Sequence, residues 1–290
     1  MPAPTERGTN EAVIFTYSGL LTSLSTLSFP TPRDQHQQSL ATYFQMATTY
    51  PQLVLFGDSL FQHAVEILDG FSFQSALQTR FCRRIDVVNR GLSGWTSSHA
   101  LKYVPDIFPE RNGDSGPKMD YLHVPLETYK DNLTKIVNHP RITAHKPKIL
   151  LVTPPPLDQI KVTGLNMAAG HSQAVRTSAI SASYSEAARQ VARENPGVVS
   201  IDLWKAIMDK AIEMAPGDYQ AGGPWLGSPE NGKQGGLDVL LPDGLHMAGK
   251  AYEVFYDTIL PHIGQEWQSL GGDDRTGYVL PDWRELTGAK

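Results

Sequence analysis

The sequence predicts an α/β fold built on a doubly wound parallel sheet. Four short apolar runs have the composition of strands that are buried on both faces, because they are nearly continuous in Val, Ile and Leu. Segments with helical spacing separate these runs, and such alternation is typical of a parallel sheet covered by helices. The four runs are Leu53–Phe56, Ile85–Asn89, Lys148–Thr153 and Val198–Leu203.

The segments between and after these runs complete the pattern. A helix follows the first run, and another begins just after Pro125, a residue favoured in the first helical turn. A third covers residues 186–194 and ends at Asn195-Pro196-Gly197, and a fourth follows His246. The apolar faces are formed by Leu60, Phe61, Val65 and Leu68 in the first helix, by Leu126, Tyr129, Leu133, Ile136 and Val137 in the second, and by Tyr252, Phe255 and Ile259 in the last.

The length and composition favour one main domain with two extensions. The chain has 290 residues, of which 40% are hydrophobic and 19% charged, and this is enough for one sizeable core. Residues 1–51 are rich in Ser, Thr, Pro and Gln without a sustained period, so we expect an irregular N-terminal extension. The domain itself then covers residues 52–266, and residues 267–290 form a C-terminal extension.

Charge and cysteine content exclude several classes of partner. The net charge is −5 at pH 7 and no basic run exceeds Arg83-Arg84, so we expect neither nucleic acid nor an anionic membrane surface as a partner. Residues 12–27 are too interrupted by polar residues for a membrane-spanning helix. Because Cys82 is the single cysteine, no internal disulfide can form, and we expect a cytoplasmic location. None of these features predicts the oligomeric state.

Ser59 is the first candidate for catalytic chemistry. Gly57-Asp58-Ser59 follows the first strand and opens a helix, which displays a serine at the sheet edge beside backbone N–H groups. Taken alone, the tripeptide also fits a turn in which Asp58 or Ser59 caps the helix. A second copy, Gly113-Asp114-Ser115, has no strand before it and no helix after it, which indicates a surface turn.

Asp243 and His246 are the candidates for a charge-stabilised base. They lie in the turn that enters the last helix, where a three-residue offset can bring the two side chains together. The carboxylate would then orient the imidazole and stabilise its protonated form. An N-capping aspartate followed by a surface histidine explains the same spacing, so this alternative stays open.

His63 is a second candidate base, because it lies four residues after Ser59 on the same helical face. Its neighbouring carboxylates, Glu66 and Asp69, are expected to face solvent rather than to orient the imidazole. The other histidines show no paired metal-ligand spacing, so we expect no catalytic metal. No P-loop or Gly-x-Gly-x-x-Gly pattern follows a strand, and no cofactor is predicted.

Four segments together resemble the SGNH (GDSL-type) hydrolases, and within them the branch of isoamyl acetate-hydrolysing esterases. The resemblance covers about Gln52 to Ile263, with the motifs in the family order and at strand ends. It implies a three-layer, flavodoxin-like sheet. The four segments are Val54–Leu60, Asn89–Trp95, His123–Tyr129 and Asp243–His246.

The resemblance implies a serine esterase that cleaves small acyl esters, such as acetate esters, through an acyl-enzyme. Ser59 would attack the ester carbonyl, His246 would accept the serine proton, and Asp243 would orient His246. The backbone N–H groups of Ser59 and Gly94 would contribute to the oxyanion hole, although Gly94 taken alone is equally a turn glycine. The loop containing Trp225 is expected to wall an apolar alcohol-side pocket. A lysophospholipase or carbohydrate deacetylase on the same scaffold is an alternative.

One element of the family is absent from the sequence. The family has a Gly-x-Asn-Asp segment at the end of the central strand, and its Asn is a third oxyanion donor. Residues 95–122 hold no such segment, and Asn112 fits a turn, so the role is not assigned to it. Losing one donor lowers turnover by about 10²–10³-fold, which makes a non-catalytic or impaired protein a second hypothesis. The family's central strand lies between the strands predicted here at Leu53–Phe56 and Lys148–Thr153, so its absence leaves three explanations open. These two strands pair directly, or Ala12–Tyr17 takes the place between them, or a deletion or splicing difference removed the segment.

Overall fold

A parallel sheet with helices on both faces organises the protein. The computed structural model describes residues 12–16, 51–108, 124–168, 176–271 and 274–278. The strands are β1 (Ala12–Thr16), β2 (Gln52–Gly57), β3 (Asp86–Gly91), β4 (Lys148–Val152) and β5 (Val198–Ile201). All neighbours pair in parallel in the order β3-β2-β1-β4-β5, which confirms the predicted fold class.

The helices lie between and after the strands, and those after Pro125 and His246 have the apolar faces that the periodicity predicts. The helix predicted after the first run is shorter than expected: it ends at Gln62, Val65 lies in a 3-10 turn and is 50% exposed, and Leu68 lies beyond the helix. The helix predicted from residue 186 is the second half of a longer one that begins at Ser178, after the N-cap Thr177. The described helices are α1 (Ser59–Gln62), α2 (Phe73–Arg80), α3 (Ser97–Ile107), α4 (Leu126–Val137), α5 (Pro140–Thr143), α6 (Gln159–Ala168), α7 (Ser178–Glu194), α8 (Leu203–Met214), α9 (Leu237–Leu240) and α10 (Gly249–Ile259).

The central position of the sheet is occupied by β1, from the N-terminal part of the chain. Ile14 is in register with Leu55 of β2 on one side and with Leu150 of β4 on the other. The expectation that residues 1–51 are irregular is therefore wrong at Ala12–Thr16. This segment takes the place of the family's central strand between β2 and β4. The physical reason is that β2 and β4 each present an edge of unpaired backbone groups, which a parallel, apolar segment satisfies. Tyr17 lies outside the described residues, and the domain boundary at residue 52 stays a prediction.

Alternate residues of the strands pack into two cores, one on each face of the sheet. Leu53 and Leu55 of β2 lie in the first core, together with residues of α1, α2, α8 and α10. Phe56 of β2 lies in the second core, which includes residues of α3, α4 and α7. Since successive side chains of a strand point to opposite faces, both faces of β2 are buried, which the continuous apolar run predicted.

The end of β3 is fixed against α1 by a close backbone approach. A Cβ atom on Gly91 would lie 2.1 Å from the backbone nitrogen of Gln62, so only glycine fits at this position. The Asn89 side chain donates a hydrogen bond to the carbonyl of Phe61 (2.6 Å) and accepts one from the Gly91 N–H (2.7 Å). The loops that follow β2 and β3 are thereby held side by side.

The first described residues of the C-terminal extension pack on the domain. The Trp267 ring lies 6.4 Å from that of Phe81, and the Arg84 guanidinium donates hydrogen bonds to the carbonyls of Asp274 (2.8 Å) and Thr276 (3.0 Å). In the described part of the chain, none of the helices is long and apolar enough to cross a bilayer. The cytoplasmic location stays a prediction.

Candidate active site

Ser59 is the first residue of α1, immediately beyond the carboxyl end of β2. The buried carboxylate of Asp58 caps the helix by accepting a hydrogen bond from the Leu60 N–H at 3.0 Å. Leu60 and Phe61 are buried and hold the short helix against the core. Asp58 therefore has the capping role that the sequence left open, and the half-buried Ser59 hydroxyl is not needed for it.

Asp243 both shapes the following turn and holds His246. One carboxylate oxygen, Oδ1, accepts hydrogen bonds from the N–H groups of Leu245 (2.9 Å) and His246 (2.7 Å). The other, Oδ2, lies 2.6 Å from Nδ1 of the His246 ring. With Nδ1 occupied by the carboxylate, Nε2 is the ring nitrogen left to act as a base. Asp243 thus orients the imidazole and stabilises its own turn, but it does not cap the last helix, whose N-cap is Ala248.

Gly244 allows this turn to fit against α6. Its φ angle is +82°, and a Cβ atom would lie 2.7 Å from the Val162 side chain and 2.8 Å from the carbonyl oxygen of Asp158. The N–H of Asp158 donates a hydrogen bond to the Gly244 carbonyl at 3.0 Å. The turn that carries Asp243 and His246 is therefore anchored above the end of β4.

The electrostatics of the pair favour an ionised Asp243 and a basic His246. Burial alone raises the pKa of Asp243, but the hydrogen bonds from the His246 ring and from two backbone N–H groups hold this pKa well below its ordinary value. The hydrogen bond to Asp243 raises the pKa of His246, burial opposes this, and the charge of Asp58 adds to the rise. A stabilised imidazolium is what a general base of an acyl-transfer enzyme requires.

The His246 turn lies against α1, so Ser59 and His246 are at one end of the sheet. The rings of His246 and His63 are 5.6 Å apart and nearly perpendicular. Tyr252 of α10 donates a hydrogen bond to the Leu60 carbonyl at 2.7 Å, which docks α10 on α1. Among the described residues, no hydrogen bond joins Ser59 to His246; such catalytic contacts commonly tighten when substrate binds.

His63 has a carboxylate partner, contrary to the expectation from the sequence. Its Nδ1 lies 2.7 Å from Oε1 of Glu66, at one exposed edge of the site. The expectation that Glu66 would not orient His63 is wrong, because the 3-10 turn of residues 63–65 brings the two side chains together. A second histidine–carboxylate pair therefore stands beside the first.

Gly94 lies in the loop after β3, where its φ angle is +84°. The loop is tied to α1, since the Ser93 N–H donates a hydrogen bond to the Gln62 side chain at 2.7 Å, and to β2, since the Leu92 N–H donates one to the Gly57 carbonyl at 3.0 Å. Both interpretations of Gly94 fit this geometry: it makes a turn that other residues rarely adopt, and it lies at the same end of the sheet as Ser59.

Arg176 is a charged residue of the site that the sequence analysis missed. It precedes the N-cap of α7, is only 8% exposed, and lies within electrostatic range of Asp243 and His246. Its positive charge lowers the pKa of His246 and so partly offsets the two carboxylates. The sequence shows only an ordinary Arg-Thr pair before a helix, and no spacing connects it to residues about 70 positions later.

No metal site accompanies these groups: the described residues contain no cluster of three or more His, Cys, Asp or Glu side chains able to hold an ion. Ser115, Asn112 and His123, which the sequence analysis discussed, lie outside the described residues. The structure thus pairs Asp243 with His246 at the end of the sheet where Ser59 opens α1, and it adds His63, Glu66 and Arg176 nearby.

Comparisons with known proteins find relatives of this chain. The chain is 26% identical over 275 residues to the isoamyl acetate-hydrolyzing esterase 1 homolog of Homo sapiens, covering 84% of this chain and 91% of the relative. It is 27% identical over 262 residues to the isoamyl acetate-hydrolyzing esterase of Saccharomyces cerevisiae, covering 82% and 95%. Among solved structures, an acetyl xylan esterase matches with a TM-score of 0.49 at 15% identity, covering 73% of this chain and 99% of that one.

The family model for GDSL-like lipases and acylhydrolases matches residues 106–259, slightly more than half of the chain. This range contains Asp243 and His246 and begins after Ser59 and Gly94. The resemblance to SGNH hydrolases, and to their isoamyl acetate-hydrolysing branch, is thereby confirmed. The chain belongs to the GDSL-like lipase/acylhydrolase family and is a carboxylic ester hydrolase.

Proposed function

We propose that this enzyme hydrolyses small acyl esters, such as acetate esters, through an acyl-enzyme on Ser59. The observation that carries the proposal is the 2.6 Å contact between Asp243 and the His246 ring, at the end of the sheet where Ser59 opens α1. The names of the human and yeast relatives, which are esterases of isoamyl acetate, support the acetate class.

In the proposed reaction, Nε2 of His246 accepts the Ser59 proton while Oγ of Ser59 forms a bond to the ester carbonyl carbon. His246 then gives this proton to the leaving alcohol, and the C–O bond to the alcohol breaks. A water molecule, deprotonated by His246, then forms a bond to the acyl carbon. The bond from this carbon to Oγ of Ser59 breaks, His246 returns the proton to Oγ, and the acid leaves. Asp243 stays ionised throughout and stabilises the imidazolium.

The oxyanion hole is proposed to consist of the N–H groups of Ser59 and Gly94. The family's third donor follows the central strand, and in this chain that strand is β1, whose sequence carries no Gly-x-Asn-Asp segment. Fewer donors mean slower turnover, by about 10²–10³-fold for one lost donor. We therefore expect a slow esterase, and the impaired protein is the second candidate.

The test is turnover of 4-nitrophenyl acetate by the full chain and by its Ser59→Ala variant at equal concentration. The proposal requires a rate in the unmodified chain that is clearly above that of the variant. Equal rates, with both proteins folded by circular dichroism, would leave the impaired protein as the better description.

The pH dependence of the esterase activity tests the pKa of His246, which the turnover assay alone does not report. We expect kcat/KM to rise with pH through an apparent pKa above the ordinary value of histidine, because only neutral His246 accepts a proton and Asp243 raises its pKa. The positive charge of Arg176 disfavours the imidazolium, so Arg176→Met is expected to move the rise to higher pH. The measurement is kcat/KM between pH 5 and 9 in each protein.

Arg193→Met is the matched control, since Arg193 lies on α7 and pairs with Glu186 at an exposed position. It removes the same charge from the helix that follows Arg176, and it should leave the apparent pKa of kcat/KM unchanged. A rise that stays in place in Arg176→Met, or moves to lower pH, would contradict the assigned effect of Arg176.

A further inference from the structure

An apolar cavity of about 250 Å³ lies at the carboxyl ends of β4 and β5. Its volume is roughly twenty times the ~10–15 Å³ of free space that one water molecule needs, so it has room for part of an organic ligand. The wall includes residues of the segment between β4 and α6, residues of α7 and α8, and a residue of the loop before α9. These are Pro156, Leu157, Ala182, Trp204, Met208 and Trp225.

The cavity has an aromatic wall that is already in place. The Trp225 ring stacks on Tyr219 with their centroids 5.4 Å apart and an angle of 5°, and it meets Trp204 edge-on at 5.1 Å. Trp225 is nevertheless 43% exposed, which leaves apolar surface at the cavity for a ligand to cover. The buried Nε1 of Trp204 has no hydrogen-bond partner in the described part of the chain.

The cavity wall is connected through one residue to the turn that carries the proposed base. Asp158, the residue after Leu157, donates its N–H to the Gly244 carbonyl, between Asp243 and His246. In the proposed reaction His246 protonates the leaving alcohol, so the alcohol side of the ester lies on the His246 side of Ser59. The cavity is therefore on the alcohol side.

The distance from Ser59 decides which alcohols can reach the cavity. Ser59 follows β2, and β1 separates β2 from β4, so the ends of β4 and β5 lie about 10 and 14 Å away at about 4.8 Å per strand. An extended alkyl chain advances slightly less than its C–C bond length of about 1.5 Å per carbon. A five-carbon alcohol stops short of the cavity, whereas about eight to ten carbons enter it.

We propose that this cavity binds the far end of a long alkyl alcohol, so that acetate esters of alcohols with about eight to ten carbons are substrates of this site. This inference rests on the proposed function, because it takes Ser59 and His246 as the reacting groups. It assigns Trp225, Ala182 and Met208 to the recognition of chain length.

The test compares kcat/KM for butyl, hexyl, octyl and decyl acetate, measured by acetate release. Each CH₂ that enters the cavity is expected to raise kcat/KM by about fourfold. Trp225→Ala removes the aromatic wall and Ala182→Phe fills the cavity, so each should lower the decyl-to-butyl ratio by at least about tenfold, which corresponds to two CH₂ groups. Because one variant shortens a side chain of the cavity and the other enlarges one, the test stays valid if one of the two variants does not fold.

Ala206→Phe is the matched control, because Ala206 is a half-buried alanine of α8 outside the cavity wall. It adds the same ring to a helix and should leave the decyl-to-butyl ratio unchanged. A ratio that shows no gain from butyl to decyl in the unmodified chain, or that both cavity variants leave intact, overturns the proposal.

Calorimetry with 1-decanol and 1-butanol separates the cavity from the chemistry, because it needs no turnover. The dissociation constant of butanol divided by that of decanol should fall in Trp225→Ala and in Ala182→Phe by at least about tenfold. If no acetate ester is hydrolysed but this ratio falls, the proposed function fails and the cavity assignment stands. If decanol binds equally to all three proteins, the cavity assignment fails whatever the turnover.

Discussion

Ser59→Ala is expected to abolish the covalent adduct with a fluorophosphonate and to lower kcat/KM for acetate esters by at least about 10⁴-fold. The substitution removes the group that is proposed to form the acyl-enzyme, and such losses reach about 10⁶ in serine hydrolases. The substitution leaves the Asp58 cap and the buried Leu60 and Phe61 in place, so the fold should persist. Intact mass spectrometry reads the adduct as one added phosphonyl group per chain.

Ser115→Ala is the natural control for this experiment, since it removes the serine from the second Gly-Asp-Ser tripeptide of the chain. Its labelling should equal that of the unmodified protein. An adduct that survives in Ser59→Ala, or that peptide mapping places on another serine, would remove Ser59 from its proposed role.

His246→Ala is expected to lower kcat/KM by a similar factor, and Asp243→Asn by about 10⁴-fold, because the imidazole then loses the partner that fixes its tautomer. His63→Ala should lower it by less than about tenfold. The contrast rests on geometry and not on exposure, since the carboxylates are similarly exposed, Asp243 at 47% and Glu66 at 50%. Asp243 holds His246 through Oδ2 while its Oδ1 accepts two backbone N–H groups, which fixes the carboxylate in its turn.

The decisive measurement is the pair of single variants, assayed for turnover and for the rate of fluorophosphonate labelling. A large loss in His63→Ala together with a small loss in His246→Ala would transfer the role of base to the His63–Glu66 pair. Chemical shifts of the imidazole protons in the unmodified chain would show independently which ring shares a proton with a carboxylate.

The parts of the fold that the sequence predicted are those with a local signal. The runs that became β2 to β5 are apolar and bounded by Gly or Pro, and the apolar face of α4 recurs at helical spacing after Pro125. The contact between Asp243 and His246 also has a local cause, since the two residues are three positions apart in one turn. Their catalytic roles stay proposals.

The parts that the sequence left open or missed depend on contacts between distant segments. Ala12–Thr16 is a five-residue run in polar surroundings, and it becomes a strand because β2 and β4 leave a gap between them. Arg176 belongs to the site only through the packing of α7 against α6, where the Ser178 N–H bonds to the Gln159 side chain at 2.9 Å. No spacing within the sequence reports such an approach.

The central location of β1 has a consequence for how the molecule is made. Synthesis delivers Ala12–Thr16 early, yet one of its two partners, Lys148–Val152, leaves the ribosome only after half of the chain has been translated. Pairings across such a separation are slow to form, because the loop-closure entropy must be overcome first. Until then β2 presents an unpaired apolar edge, the kind of surface that chaperones cover and that other nascent chains join. We therefore expect β1 to complete the sheet only after Lys148–Val152 has been synthesised.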